Sequence, residues 1–302
     1  KMIGRVLGML LFIELGMFLL CAGVSAGYGE SDYKYFLYTC IINAVVGGLL
    51  LLYGRGAENK MSRRDGYCVV TLSWVFFTFF GMLPFYFSGS IDTITNAFFE
   101  TMSGFTTTGA TILDDIESLS HGMLFWRSLT QWIGGLGIVF FTIAILPIFT
   151  TGGVQLFSAE STGVTHDRTH PKINVMAKWL WTIYLVLTIS ETVLLMFGGM
   201  SLFDAICQSF ATTATGGYST KQNSISYWNS PYIEYVVAIF MIVSSINFSL
   251  FLMCLKGKVG RLFTDEELHC FLASVGILTF LITLALVFQN HYDWELAFRK
   301  AL

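Results

Sequence analysis

The chain has 302 residues, of which 54% are hydrophobic and 12% are charged, with a formal net charge of −3 and a mean hydropathy of +0.66. Because soluble domains carry about 25% charged residues, this composition excludes an ordinary water-soluble protein. The small negative charge gives no indication of nucleic-acid binding. Long apolar runs between short charged segments instead predict an all-α polytopic membrane protein.

Seven apolar runs are long enough to cross about 30 Å of hydrocarbon as helices, near residues 2–26, 35–53, 66–88, 123–149, 174–199, 231–255 and 268–289. The first contains Glu14 and lacks a small-residue cleavage pattern, so it is predicted to be a retained helix and not a signal peptide. With a cytoplasmic N-terminus, most Lys and Arg residues lie inside, as the positive-inside rule requires. The outer side then keeps Lys34, Arg127, Lys221, Arg299 and Lys300.

Two polar strings interrupt this apolar sequence, GFTTTGAT at 104–111 and ATTATGGYST at 211–220. Each follows a segment of about 12 residues, 91–103 and 199–210, which is too short to span the bilayer because it reaches only about 18 Å as a helix. Irregular backbone at membrane depth is tolerated only where it is buried in protein or lines a wet cavity. The strings therefore predict re-entrant pore loops that enter and leave from the outside.

The composition of these loops fits the coordination of a cation. Glycine adopts positive φ without steric cost, so successive backbone carbonyls can face one axis and replace the hydration shell of an ion. Acidic residues are predicted to surround the first entrance and to raise the local cation concentration, namely Asp92, Glu100, Asp114, Asp115 and Glu117. Helix packing by small residues is the alternative reading of either string alone.

The two strings belong to an internal repeat of helix, pore loop and helix. Aligning TTGA (107–110) with ATGG (214–217) pairs Gly109 with Gly216, a separation of 107 residue numbers. A shift by one position pairs Gly109 with Gly217 instead. A third unit begins at 268–289, and the sequence stops after its next short segment, 293–302. Because the first residue is Lys1 and not Met, we expect a fragment of a longer protein.

Charged residues inside membrane segments are candidates for a functional role. Glu100 and Arg127 are predicted to pair behind the filter in preference to contacting ions. Glu14 and Glu191 are predicted to hydrogen-bond between helices, with a coupled-ion role for Glu191 as the alternative. The run GGLGI at 134–138 indicates helix packing or a hinge. No Ser/His/Asp cluster or H-E-x-x-H motif suggests an enzyme.

The chain resembles the membrane subunit of Trk/Ktr-type potassium-uptake systems, closest to the TrkH-like branch. The matching stretches are FFETMSGFTTTGAT (98–111), LFWRSLTQWIGGLGI (124–138), VQLFSAE (154–160), ATTATGGYST (211–220) and INFSL (246–250).

The resemblance implies a potassium-channel-like fold, with a leading helix pair and then four repeats around one pore. Residues 1–65 are the leading pair, 66–150 the first repeat, 151–173 a cytoplasmic loop, 174–264 the second repeat and 265–302 the start of a truncated third. Since two filter strands are missing, we do not expect this chain alone to form a complete selective pore. The implied K+-binding filter residues are Thr107, Thr108, Gly109, Ala110, Thr111, Thr215, Gly216, Gly217 and Tyr218.

The same resemblance implies the setting in which the chain works. It suggests potassium uptake across the bacterial inner membrane, driven by the membrane potential, without a covalently bound cofactor. Related plant transporters favour K+ when the first filter position is glycine, and Gly109 occupies that position. The expected partners are a second copy in a homodimer and a cytosolic TrkA-like nucleotide-binding ring, for which the loop 150–172 is a docking surface or a solvated connection. A Na+-permeable or Na+/H+-coupled transporter of the same architecture is the alternative.

Overall fold

The computed structural model describes residues 1–57, 63–137, 173–255, 257, 260 and 263–302, and the regular secondary structure in these ranges is helical. In chain order the helices are α1 (Met2–Gly27), α2 (Tyr33–Tyr53), α3 (Arg63–Gly81), α4 (Leu83–Ser88), α5 (Ile94–Phe105), α6 (His121–Gly135), α7 (Ile173–Phe197), α8 (Leu202–Thr213), α9 (Pro231–Ser244), α10 (Phe248–Leu255), α11 (Glu266–Asn290) and α12 (Trp294–Ala301). Most of the predicted loop 151–173 and its docking surface lie outside the described residues.

Five of the predicted membrane spans correspond to helical segments that are long and apolar enough to cross a membrane. They are α1, α2, α3 with α4, α7 and α11. The third is interrupted between Gly81 and Leu83, because Pro84 lacks the N–H that would continue the helical hydrogen bonds. The prediction of long membrane helices is confirmed for these segments.

The other two predicted spans, 123–149 and 231–255, are wrong as continuous helices. The first ends at Gly135, Gly137 has a left-handed φ of 72°, and residues 138–150 lie outside the described part of the chain. The second is divided into α9 and α10. There the N–H groups of Ser245 and Ile246 bond to carbonyls three residues back, and the Ser245 hydroxyl donates to the Met241 carbonyl at 2.8 Å. Such local bonds compete with the regular helix.

The leading pair is part of the protein core. The two helices α1 and α2 pack along each other, and α1 also contacts α3 and α6. Trp126 of α6 is fully buried between the rings of Phe18 and Phe105, at centroid distances of 4.6 and 6.0 Å. Its indole N–H donates to the Gly81 carbonyl at 2.8 Å, at the break between α3 and α4. Helix α6 is thereby fixed against both α1 and α5.

The two short helices α5 and α8 are near-copies of each other. Both have 12 residues, and their bounds, 94–105 and 202–213, differ by 108 residue numbers. Each begins after an extended hydroxyl residue, Thr93 or Ser201, whose side-chain oxygen accepts an N–H of the first turn. This cap satisfies a donor that the helix leaves free. The short helices expected at 91–103 and 199–210 are therefore present, each shifted by about three residues toward the C-terminus.

Helix α6 packs tightly against the ends of both short helices through two adjacent glycines. A Cβ atom on Gly134 would collide with the Phe105 carbonyl at the end of α5. A Cβ on Gly135 would lie 2.7 Å from the Cα of Ala214, which directly follows α8. These contacts support the packing interpretation of the run at 134–138 for its described part.

A carboxylate in the loop between α1 and α2 holds the N-terminal end of α6. Glu30, in the loop between α1 and α2, accepts the backbone N–H groups of His121 and Gly122 at 2.8 and 3.3 Å. It also contacts Nδ1 of the His121 ring at 2.8 Å, and that ring stacks on Tyr28 at 3.9 Å. A carboxylate at the N-terminus of a helix is stabilised by the free N–H groups and the helix dipole. Burial opposes ionisation, but these hydrogen bonds outweigh it and lower the pKa of Glu30.

We expect Gly134→Ala to destabilise the protein by about 1–3 kcal/mol, because the added methyl group must displace the backbone at the end of α5. Thermal unfolding in detergent measures the change. Gly276→Ala is the matched control, since a Cβ at Gly276 in α11 meets no atom within 4 Å. Equal melting temperatures for the two variants would contradict the packing assigned to Gly134.

We expect the contact made by Glu30 to stabilise the protein above pH 4.5, the ordinary pKa of the group, and to be lost as the pH falls through its lowered pKa in the folded state. Glu30→Gln should therefore lower the melting temperature at neutral pH, and its difference from the native protein should shrink in acid. Asp32→Asn in the same loop is the control, because Asp32 makes no side-chain cap to α2. A pH-independent difference would contradict this assignment.

Candidate functional site

The two polar strings leave the short helices through the same backbone turn. After α5, the N–H of Thr107 bonds to the Gly104 carbonyl and the N–H of Thr108 to the Ser103 carbonyl. After α8 the corresponding bonds run from Thr215 to Thr212 and from Gly216 to Ala211. This pair of bonds is the Schellman motif that ends many helices. The strings are therefore structural equivalents.

Both turns place threonine where glycine is usual. Thr107 and Thr215 have φ values of 52° and 54°, in the left-handed region that β-branched residues avoid. Strain of about 1–3 kcal/mol persists only where the surroundings impose it, and it is concentrated at functional sites. The sequence gives no simple signal for this conformation, because the usual marker is glycine.

Left-handed residues recur two positions later. Gly109 and Gly217 have φ values of 74° and 86°. Like Thr107 and Thr215, they differ by 108 residue numbers. The structure thus pairs Gly109 with Gly217, so the alignment of Gly109 with Gly216 is wrong and the shifted alternative is confirmed. The error arose because both glycines of the second string match the first equally well by sequence.

The strings form two strands of irregular backbone, residues 107–111 and 215–218, which meet at their glycines. A Cβ atom on Gly109 would collide with the Gly216 carbonyl oxygen. Gly216 is buried, and a Cβ there would overlap the side-chain amide of Gln131. The other predicted filter residues differ in their exposure to solvent. Thr107 is half-buried, as is Gly109, and Tyr218 is buried. The exposed ones are Thr108, Ala110, Thr111, Thr215 and Gly217.

Glu100 and Arg127 form the predicted ion pair behind the strands. The Glu100 carboxylate accepts Nε–H of Arg127 at 2.8 Å, and the two side chains are almost completely buried. The same carboxylate accepts the Thr111 hydroxyl and the backbone N–H of Ile112, both at 3.0 Å. Arg127 donates to the Ser219 carbonyl at 3.0 Å. One ion pair therefore bonds to both strands, and Glu100 does not lie at the entrance.

Tyr218 links the second strand to the first short helix. Its buried hydroxyl lies 2.8 Å from the Glu100 carbonyl oxygen and 3.3 Å from that of Ala110, and Arg127 stacks on its ring at 3.6 Å. The Ser103 hydroxyl also donates to the Ala110 carbonyl, at 2.6 Å. The Ala110 carbonyl is thus directed into the protein. Ser103 and the Tyr218 side chain therefore brace the strands, and the ion-ligand roles of Ala110 and Tyr218 stay predictions.

Several bracing residues were not identified from the sequence. Gln131 accepts the Tyr218 N–H at 3.0 Å, and Asp204 accepts the Thr220 hydroxyl. Ser103 is the third such residue. A polar side chain within an apolar helix, such as Gln131 beside Trp132, is the only signal that could have marked one of them.

The residues that follow the two strands are joined by polar contacts. The Gln222 side chain accepts the Ile116 N–H at 3.0 Å, and Glu117 accepts the Gln222 N–H at 3.3 Å. Lys221 lies 3.7 Å from Glu117. The other acidic residues expected at the entrance are exposed, namely Asp92, Asp114 and Asp115.

Two further buried glutamates, Glu14 and Glu191, make the predicted contacts between helices. Glu14 of α1 accepts a hydrogen bond from the Asn43 side chain of α2 at 3.0 Å. Glu191 of α7 lies 3.4 Å from the hydroxyl of Thr213, at the end of α8. The coupled-ion role of Glu191 stays a prediction.

Comparison with known proteins gives one consistent family. The family model TrkH, described as cation transport protein, matches residues 33–298. The chain belongs to the TrkH family. It is 39% identical over 296 residues to the Trk system potassium uptake protein TrkH of Salmonella typhimurium, covering 97% of this chain and 61% of that protein. The corresponding Vibrio parahaemolyticus protein is 35% identical, with coverages of 99% and 63%.

A solved structure agrees with this family. The crystal structure of the potassium transporter TrkH from Vibrio parahaemolyticus matches with a TM-score of 0.86 and 32% sequence identity. The match covers 99% of this chain and 62% of the crystallised one. The fold is therefore that of an all-helical membrane transporter of the TrkH family, and the chain spans less than two thirds of the relatives it matches.

We expect loss of the Glu100–Arg127 pair to cost about 3–5 kcal/mol, because Glu100→Gln leaves a buried guanidinium without its counter-charge. Thermal unfolding of the purified variant measures the loss. Lys221→Gln is the control, because its pair with Glu117 is partly exposed and contributes about 0–1 kcal/mol. A small effect of Glu100→Gln, similar to that of the control, would contradict the bracing role.

Proposed function

We propose that the chain is the part of a potassium-uptake transporter that supplies two strands of its selectivity filter. The observation that carries this proposal is the repeated pair of left-handed residues, at 107 and 109 and again at 215 and 217, directly after two short helices. In an extended strand, successive carbonyls point to opposite sides. Left-handed residues at alternate positions bring them toward the same side, where they can replace the hydration shell of K+.

The short helices support the same proposal electrostatically. Each filter strand begins at the C-terminus of α5 or α8, where the helix dipole is negative and favours a cation. The buried ion pair behind the strands carries no net charge, so it braces them without repelling a permeating ion. K+ would be the transported ion, and the protein would hold no covalently bound cofactor and catalyse no covalent step.

The cellular setting is part of the proposal. The relatives are named as potassium uptake proteins of a Trk system, which favours a role in a multicomponent uptake system. We infer a location in the bacterial inner membrane with a cytoplasmic N-terminus. Entry of K+ would be driven by the membrane potential, which contributes about 2.3 kcal/mol per 100 mV for each charge. A homodimer and a cytosolic TrkA-like nucleotide-binding ring are the proposed partners, and nucleotide control would come from that ring.

Uptake of rubidium-86 into proteoliposomes tests the transport proposal. The full-length protein should take up rubidium under an inside-negative potential, and K+ should compete far better than Na+ or Li+. Equal competition by Na+ would favour the alternative, a Na+-permeable or Na+/H+-coupled transporter of the same architecture. Absence of uptake both alone and with the added cytosolic ring would contradict transport.

Gly109→Ser tests the filter itself. A side chain at this position must adopt a left-handed φ and collides with the Gly216 carbonyl of the other strand. We expect the preference for K+ over Na+ to fall by about tenfold, which corresponds to about 1.4 kcal/mol.

Gly89→Ser is the matched control for this change. Gly89 has a φ of 72°, but a Cβ there meets no atom within 4 Å, so the variant carries the same backbone strain without the collision. Its selectivity should equal that of the native protein. Unchanged selectivity of Gly109→Ser would contradict the assignment of this strand to the filter.

A further inference from the structure

Gln131 makes a directed contact with the second filter strand. It lies on α6, is fully buried, and its Oε1 accepts the backbone N–H of Tyr218 at 3.0 Å. Because a backbone N–H can only donate, the oxygen of the amide must face Tyr218. The orientation of the side-chain amide is therefore fixed by the filter strand.

This bond sets the direction of a neighbouring carbonyl. The Tyr218 N–H and the Gly217 carbonyl belong to the same peptide group, and the described chain has no cis peptide bond. In a trans peptide the N–H and C=O point in opposite directions across the plane. Since the N–H points inward to buried Gln131, the Gly217 carbonyl points away from it, and Gly217 is exposed.

A carbonyl two residues further along the strand, that of Ser219, points in the opposite direction. The Ser219 carbonyl accepts Arg127 and is turned into the protein. The strand thus has a carbonyl directed outward at Gly217 and one directed inward at Ser219, and each direction is fixed by a different side chain of α6. These two side chains, Gln131 and Arg127, lie four residues apart on one face of the helix.

The other end of the Gln131 amide argues against a role in packing alone. Its Nε2 has no hydrogen-bond partner among the residues that the structure describes. A buried donor without a partner destabilises the folded state, and an apolar residue of the same size would avoid that cost. The amide also lies where a Cβ of Gly216 would be, so the strand and Gln131 fit each other closely.

We propose that Gln131 is a positioning residue that directs the Gly217 carbonyl toward the permeating ion and thereby contributes to selectivity for K+ over Na+. The inference rests on the proposed filter function. Gln131 itself does not contact the ion, because it is buried behind the strand.

Two substitutions in the full-length protein separate hydrogen bonding from packing. Gln131→Met keeps the volume but removes the acceptor, whereas Gln131→Glu keeps an oxygen at the position of Oε1. We expect Gln131→Met to lower the K+ over Na+ preference in rubidium-86 competition by about tenfold, at the upper end for one hydrogen bond. Gln131→Glu restores the acceptor and should therefore lose less of the native ratio than Gln131→Met does, although it adds a buried carboxyl group.

The matched control is Gln208→Met. Gln208 is also a buried glutamine, on α8, but its side chain donates to the Thr212 hydroxyl at 3.2 Å and not to a filter peptide. The ratio of K+ to Na+ competition is measured together with the maximal rate and the amount of folded protein. A purely structural role would lower the rate or the amount and leave the ratio unchanged.

A backbone substitution tests the same bond from its other side. Incorporating the α-hydroxy acid analogue of tyrosine at position 218 replaces the N–H by an ester oxygen and removes the donor to Gln131. If both changes act through this bond, combining the ester with Gln131→Met should lower selectivity no further than either alone. Additive losses would overturn the proposal.

The outcomes distinguish this inference from the proposed function. If the native protein prefers K+ and the Gln131→Met variant has the same preference, the role of Gln131 is overturned and the filter proposal stands. Equal losses in Gln131→Glu and Gln131→Met would also overturn it, because the acceptor would then not matter. A native protein without preference for K+ would overturn both.

Discussion

The arrangement of the site depends on the buried ion pair between Glu100 and Arg127. Each charge alone would be costly at this depth, so each requires the other. Further hydrogen bonds join the pair to the strands: the carboxylate bonds to Thr111 and Ile112, and the guanidinium to Ser219. Two strands from distant parts of the sequence are thus fixed relative to each other by groups that cannot move apart independently.

Helix α6 transmits this constraint to the rest of the protein. It carries Arg127 and Gln131 toward the strands, Trp126 toward the core, and Gly134 toward the end of α5. Its N-terminal end is capped by Glu30 from the loop of the leading pair. The leading pair therefore supports the site indirectly, although it lies outside the internal repeat. Arg127 and Gln131 are thereby held by a helix that is itself packed against several neighbours, as the precise geometry of a functional site requires.

The sequence predicted the long helices well because apolar length is a direct consequence of the bilayer. The helix break at Ser245 was missed, since it lies inside a run that stays apolar on both sides. The break at Leu136 lies within the run 134–138, for which a hinge was one of the two interpretations. Glycine content located the strands but not their register, which depends on a backbone turn at Thr215 that composition does not show. The pair of Glu100 and Arg127 was predictable because isolated buried charges need partners. The contact of Gln131 was not, since an amide has many ways to be satisfied.

The two units of the repeat have the same backbone but different side chains behind it. Equivalent positions are 108 residue numbers apart, so Glu100 corresponds to Gln208, Ser103 to Ala211 and Ala110 to Tyr218. In an assembly of identical subunits, one altered codon changes the equivalent strand in every subunit at once. In this chain the two strands are encoded separately, so a mutation alters one strand and leaves the other unchanged. Each strand can therefore carry its own set of supporting side chains.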